Sequence, residues 1–302
     1  MDGHFCMYKI YFAYPQLKNK FGESTSILYG IIKLIKSIIM KFLPETIIFI
    51  FDTSTKTFRH QLYKKYKSNR LSAPKNLYSQ IKPLKKIIKY MGIPIVSRKN
   101  IEADDIIGTL SQFFQKKNFH SIIYSADKDM TQLINKNISI NPGNINKKLL
   151  KKKDVQKIYG VNPKSIADFL SLVGDPSDNI PGVSGIGKKT AIILIKYFHS
   201  IKKIYKNIKE IKKLPIRGIT KKIEYLKIGK KNAFLSYQLT KIKKDLNFNY
   251  KKLDLMLKKP NPKMLIKEFK YYQLNQYLKE ISNNNFIIIN WYKKINNSKK
   301  KR

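Results

Sequence analysis

Nine carboxylates carry most of the chemistry this chain could do: Asp2, Asp52, Glu102, Asp104, Asp105, Asp127, Asp129, Asp175 and Asp178. They fall in five short stretches of a chain with 62 Lys and Arg but only 19 Asp and Glu. The densest stretch is IEADDIIG, residues 101–108, with three acids in four positions. Carboxylates at a helix start stabilise it by about 0.3–1 kcal/mol each, which accounts for one or two of them. Three crowded together repel, and a bound cation explains them better. Nine in one cleft would raise one another's pKa unless something offset the charge. All-oxygen ligation suits the hard ions Mg²⁺ and Mn²⁺. Basic residues holding a phosphate backbone beside such ions would support two-metal phosphodiester hydrolysis. One ion then makes a nucleophile of water and the other stabilises the leaving oxygen, with the ions ~4 Å apart. No convincing Ser–His or Cys–His pair offers a competing nucleophile.

The acids need elements to gather them. IIFIF (47–51), IPIV (93–96) and SIIYS (121–125) read as short buried strands, with a fourth at 138–140. Apolar faces at helical spacing predict helices over 24–42, 77–91 and from Ile101 onward. Strand alternating with helix is the pattern of an α/β domain with a mostly parallel central sheet flanked by helices, whose ligands gather beyond the carboxyl ends of the strands. Asp52, the 102–105 acids, and Asp127 with Asp129 each follow a different strand. Between Asp52 and Glu102 there is no acid, and residues 53–73 interleave bases with aromatics, among them Arg59, Tyr63 and Lys64, as a nucleic-acid contact would.

From about Asp154 the pattern is mostly helical. Gly182, Gly185 and Gly187 fit neither the dinucleotide nor the Walker spacing, and no strand precedes them. A helix–hairpin–helix over 180–198 fits better, its backbone N–H groups with Lys188 and Lys189 holding a DNA phosphate. The simpler alternative is a tight turn between helices with no ligand. The division expected is 1–160 for the α/β core and 161–302 for a helical DNA-binding domain, ending in a frayed basic tail, NNSKKKR.

The net charge of +43 points to a polyanionic partner. Only five of the 62 basic residues are Arg, however, and abundant Ile, Asn and Lys also fit AT-rich coding, so placement of charge weighs more than its amount. One cysteine, Cys6, excludes an internal disulfide, and four scattered His exclude a zinc site of usual spacing. No run approaches a membrane span and no secretory leader is visible, so the expected location is the cytoplasm, at the nucleoid.

The segments FDTSTKTFRHQLYKKYKSNR, IEADDIIGTL, SADKDMTQL and GDPSDNIPGVSGIGKKTA closely resemble the 5′-nuclease domain of bacterial DNA polymerase I and its flap-endonuclease relatives, in collinear order over nearly the whole chain. The resemblance implies a PIN-like nuclease core and a helical arch at about 53–73. It assigns Asp2, Asp52, Glu102, Asp104 and Asp105 to a first metal, and Asp127, Asp129, Asp175 and Asp178 to a second. It places Lys67 and Arg70 at the scissile phosphate, Tyr66 as a stacking aromatic and Lys9 as a further basic group. It also implies a K⁺ ion on carbonyls of the hairpin. The implied activity is 5′→3′ exonuclease and flap cleavage on DNA with 5′ ends or flaps and on RNA primers, by a monomer. Three features depart from the family, one being that Lys9 stands where the family's basic residue is usually Arg. The apolar strand usual before the first Asp is missing from this sequence, which implies either an upstream start or a poorly anchored Asp2. Ala126 stands where Gly is usual. The rival readings are a DNA-junction-binding protein with impaired catalysis, and a related ribonuclease with a smaller acidic site.

Overall fold

The computed structural model describes residues 1–247, 249 and 251–300. Helix α1 (Gly3–Ala13) opens the chain and packs on α2 (Ser26–Phe42), which ends at Leu43 in the left-handed region just before Pro44. Strand β1 (Phe49–Ile50), the short α3 (Phe58–Leu62), α4 (Lys75–Tyr78), α5 (Ile81–Tyr90) and β2 (Ile95–Val96) follow. Next come α6 (Ala103–Lys116), β3 (Ser121–Tyr124) and β4 (Ile138–Asn141). All four strands lie within the runs expected of them or one residue beyond.

Pairing is parallel throughout: Phe49 opposite Ile95, and Ser121 opposite Ile138 through Tyr124 opposite Asn141. The ladders are two pairs, β1–β2 and β3–β4, where one continuous sheet was expected. Met1 and Asp2 bridge them. The Ile50 N–H donates to the Met1 carbonyl at 2.9 Å, and the Asp2 N–H donates to the Tyr124 carbonyl at 3.1 Å. The α-amino group of Met1 donates to the Ile48 carbonyl at 2.9 Å. Beyond Met1, β1 and β3 diverge around a half-open hollow of about 500 Å³ walled by Ile48, Ile122, Leu110 and Phe114.

The second half is helical: α7 (Lys152–Tyr159), α8 (Ile166–Val173), α9 (Lys188–Phe198), α10 (Ile201–Lys206), α11 (Ile219–Ile228) and α12 (Lys230–Thr240). They share one apolar core with α6, β3 and β4. A second core joins α1, α2 and α5 to the last three helices, α13 (Pro262–Tyr271), α14 (Asn275–Ser282) and α15 (Ile287–Lys300). Trp291 donates its indole N–H to the Pro44 carbonyl at 2.7 Å, and the Tyr277 hydroxyl donates to the Tyr29 carbonyl at 2.9 Å. Helices α13–α15, which follow the expected 160/161 boundary in sequence, thus pack on the first half. The expected frayed tail is helical to Lys300, and residues 301–302 lie outside the described ones.

Two expectations fail here. Residues 53–73 form no helical arch, only α3 and a run of turns. Their basic–aromatic alternation offers no apolar stripe to hold a long helix. The segment lies instead against the GDPSDN loop: the Lys67 N–H donates to the Asp178 carbonyl at 3.0 Å, and Asn179 Nδ2 donates to the Lys65 carbonyl at 2.9 Å. Nor is Asp2 poorly anchored. Its carboxylate accepts from the Phe5 N–H and the Ser125 hydroxyl, both at 3.0 Å.

Candidate active site and nucleic-acid interface

Strand ends and one tight loop deliver the acids. Asp52 follows β1, and its Oδ1 accepts from the Ala103 N–H at 2.7 Å, so it caps α6 from across the site. Glu102 is the residue before α6, and Asp104 and Asp105 lie in its first turn. Asp127 follows β3 and accepts from the Asp129 N–H at 2.8 Å. The GDPSDN loop after α8 folds back through paired backbone bonds between Asp175 and Ile180, and presents Asp175 and Asp178.

Electrostatics shows which acids meet. Burial, then Asp127, pushes the Asp104 pKa well above the usual carboxylate value, with Asp2 and Asp52 adding to the rise. Burial, then Asp127, Asp175 and Asp178, does the same to Asp129. Asp127 is raised by burial and by Asp178, and Asp2 by burial and Asp52. Seven acids therefore feel one another. Glu102 joins them through Lys67, whose ammonium sits 2.9 Å from Glu102 Oε2 and 4.0 Å from Asp178. Burial would raise Glu102, but Lys67 and Arg59 outweigh it and hold the acid below its ordinary range. Lys67 has φ of 56°, a conformation strained for a side chain with a Cβ, and it directs the ammonium into this cluster. Arg70 binds Asp178 through Nε at 3.0 Å, and Lys128 lies 2.5 Å from Asp175.

Asp105 is the exception. It is 1% exposed and forms a two-pronged pair with Arg59 at 2.7 and 2.8 Å, while its Oδ1 also accepts from the Lys243 N–H. Both oxygens are engaged by Arg59 and the Lys243 N–H. Arg59 Nη1 also lies 3.6 Å from Glu102 Oε1, so the pair joins Asp105 to Glu102 and leaves Asp105 no free oxygen for the first metal expected of it. Arg59, expected at DNA, is turned inward with it. At 2% exposure, with further donors on the Leu239 and Lys241 carbonyls, it offers nothing to DNA. Tyr66 is buried too, its hydroxyl 3.1 Å from Glu102 Oε2, so its ring is not free to stack on a base. Lys9 points to the Tyr124 hydroxyl at 2.8 Å instead of to the acids. Tyr63 and Lys64 remain accessible beside α3.

The residues fit hard cations on chemical grounds. The donors are all carboxylates, and Asp129 Oδ1 is buried without a hydrogen-bond partner. No three acids among the described residues are aimed at one point closely enough to cage an ion as they stand. Lys67, Arg70 and Lys128 draw several of them aside.

In the hairpin, Gly182 and Gly185 have φ of 63° and 79°, and Gly187 precedes the first turn of α9 in extended conformation. A Cβ at Gly182 would lie 2.4 Å from the Gly174 nitrogen, and one at Gly185 would lie 2.3 Å from the Tyr225 ring. The turn thus requires glycine at both positions. Lys188 and Lys189 are exposed at the start of α9. Lys222 donates to the Gly185 carbonyl at 2.6 Å, so an ammonium already occupies that carbonyl of the hairpin where a K⁺ ion was expected.

Residues 1–160 match the model of the 5′-3′ exonuclease N-terminal resolvase-like domain, and residues 161–263 match its C-terminal SAM fold. A 5′-3′ exonuclease of Buchnera aphidicola subsp. Schizaphis graminum is 44% identical over 91% of this chain and 96% of its own. A 5′-3′ exonuclease of Aquifex aeolicus is 36% identical over 93% of each. DNA polymerase I of Pseudomonas aeruginosa is 32% identical over 93% of this chain but 31% of its own. The fold is similar to that of T5 5′-exonuclease solved with divalent metal ions (zinc), with a TM-score of 0.63, 21% identity, and coverage of 93% of this chain and 97% of that one. It is also similar to the catalytic core of Rad2 in complex with DNA substrate, with a TM-score of 0.59, 17% identity, and coverage of 94% and 89%.

Proposed function

The chain belongs to the 5′-3′ exonuclease family, and from that membership we propose that it hydrolyses phosphodiester bonds at the 5′ ends and 5′ flaps of DNA, RNA primers included. One observation supports this most. Asp104, Asp127 and Asp129 are half-buried with raised pKa, one of their oxygens lacks any partner, and Lys67 and Arg70 lie alongside. A protein maintains such repulsion where an external charge is to be bound.

Asp2, Asp52, Glu102 and Asp104 are suited to hold one Mg²⁺ or Mn²⁺, and Asp127, Asp129, Asp175 and Asp178 a second. Bound there, the ions would supply an activated water and neutralise the leaving oxygen. The chain's own residues do the rest. Lys67 and Arg70 sit at the acids' edge with donors that can turn from Glu102 and Asp178 to a substrate phosphate. Burial opposes the charge on Lys67, yet Glu102 overrides it and raises its pKa, so the ammonium keeps its proton at neutral pH. Lys188, Lys189 and the free N–H groups at the start of α9 form a second phosphate hold. Buried Arg59 ties α3 to Asp105 and to the end of α12.

The test is cleavage of a 5′-flapped duplex with Mg²⁺. Wild-type protein should cut it, and Asp127→Asn should lose about 100-fold or more in rate while binding persists. An Asp127→Asn protein of full activity would remove the basis for this reading.

A further inference from the structure

Lys67 and Arg70 belong to a stretch with little core of its own. Of residues 64–70 only Tyr66 is buried, and the backbone there runs through successive turns. Lys67 sits among them in the left-handed region, with φ of 56°. A residue with a Cβ stays in that region only where its surroundings over-determine it. The constraint has to come from outside the stretch.

One side chain of the GDPSDN loop supplies it. Asn179 is itself left-handed, with φ of 56°, a conformation that Asn adopts more readily than most residues. Its amide has two hydrogens to give, and both are used. Nδ2 donates to the Lys65 carbonyl at 2.9 Å and to Ser68 Oγ at 3.1 Å. The Ser68 hydroxyl donates in turn to the same Lys65 carbonyl at 2.8 Å. These acceptors straddle Lys67, whose own N–H donates to the Asp178 carbonyl at 3.0 Å, one peptide before Asn179. Asn179 has firm backing. Asp175 and Ile180 exchange backbone bonds at 2.9 and 2.8 Å, and the Ile180 side chain is buried with Tyr66 and Leu239. The Gly182 N–H donates to Ser236 Oγ on α12 at 3.0 Å. An amide on a loop tied to α12 thus holds a turn that is otherwise mostly exposed. What it fixes is the point from which the Lys67 side chain sets out to reach Glu102 Oε2, 2.9 Å from its ammonium.

We propose that Asn179 is a positioning residue for cleavage: through the turn at 65–68 it aims Lys67, and it governs the rate of the chemical step and not the hold on DNA. The inference rests on the nuclease reading above, since the aim of Lys67 matters to a rate only if the neighbouring acids serve phosphodiester hydrolysis. Asn179→Gly keeps the left-handed backbone without strain and deletes the amide. On a 5′-flapped duplex with Mg²⁺, under single-turnover conditions, it should cut about ten-fold more slowly, the scale expected when a reacting group shifts by less than about 1 Å. Its affinity for the same duplex in EDTA should match that of the wild type. Ser68→Ala, which removes one of the two acceptors at an exposed position, should slow cutting by less. In a Lys67→Ala background, Asn179→Gly should slow cleavage no further, because contributions that run through one residue do not add. In EDTA and without DNA, lysine acetylation read by mass spectrometry should find Lys67 more reactive in Asn179→Gly than in wild type, with Lys188 and Lys189 unchanged. Asn118→Gly, at another left-handed Asn (φ of 61°) beyond the far end of α6, should alter none of these. A wild-type rate in Asn179→Gly, a rate loss matched by lost affinity, or a loss that adds in full to that of Lys67→Ala would overturn the proposal. Wild-type protein that cuts nothing would refute the nuclease reading, whereas cleavage by wild type with Lys67 labelling unchanged in the variant would refute this inference alone.

Discussion

The acid cluster divides into two halves that the same chain treats in opposite ways. Glu102, Asp105, Asp175 and Asp178 are paired with Lys67, Arg59, Lys128 and Arg70. Asp2, Asp104, Asp127 and Asp129 have no such cation within salt-bridge range among the described residues, and their pKa values are raised. Paired acids stabilise the fold by satisfying buried bases. Unpaired ones destabilise it and leave a concentrated negative field. The division locates the demand for an external cation on the β3 side, next to the first turn of α6, and it identifies Asp105 as part of the framework.

Breaking the paired half should give the largest effect. Asp105→Asn leaves buried Arg59 with only the more distant Glu102, 3.6 Å away, as counter-charge, and removal of one partner from a buried pair costs about 3–5 kcal/mol. Denaturant unfolding should show this loss whether or not divalent metal is added. Retention of full stability would return Asp105 to the metal-binding set.

The next effect is one of sign with pH. For Asp104 and Asp129 the folded pKa lies above the unfolded one. Their contribution is therefore most favourable below the ordinary value of 3.8, and it is lost as pH rises through the raised folded value. For Glu102 and Asp175 the folded pKa is lower, so the stability they confer is present above 4.5 and 3.8 and is lost as pH falls through the folded values. Melting temperature against pH should thus respond oppositely in two variants. Asp129→Asn gains stability relative to wild type at neutral pH and not at low pH. Glu102→Gln loses stability at neutral pH and converges on wild type as acid is added. Parallel curves for the two would erase the division.

The smallest effect sharpens it at Asp52, which is neither paired with Lys or Arg nor raised. Burial pushes its pKa up, but His4 and the Ala103 N–H outweigh that and hold it low. Asp52→Asn keeps an acceptor for Ala103, so thermal unfolding should move by no more than about 0.5 kcal/mol, well within the range of N-cap exchanges. Cleavage should still fall, because a neutral amide is a poor partner for a hard cation.

Much of this arrangement was legible in the sequence. The runs IIFIF and SIIYS are apolar on both faces and end on acids, so their strand ends had to carry Asp52 and Asp127 toward one edge. Asp105 could have been separated from Asp104 on helical geometry alone, since consecutive residues on a helix point about 100° apart. Asp105, Thr109 and Gln112 share a face, and residues 243–246 pack along it. The signal for Arg59 was weaker: a base seven residues after Asp52 looks the same in sequence whether it faces DNA or a carboxylate. The return of α13–α15 to the first half was not legible, because amphipathic spacing shows that a helix buries a face but not which partner covers it. The shape of residues 53–73 depends on bonds to a loop more than a hundred residues away, and no local pattern encodes that.

The hollow between Ile48 and Ile122 has a mechanical consequence. Imperfect packing contributes to the volume a protein sheds on unfolding, so compression favours states in which such space has filled with water. Under hydrostatic load, the seam held by Met1 and Asp2 is the weak line of the molecule. One member of the unpaired acid half is fixed to that seam, so strain at the edge of the sheet reaches the chemistry directly.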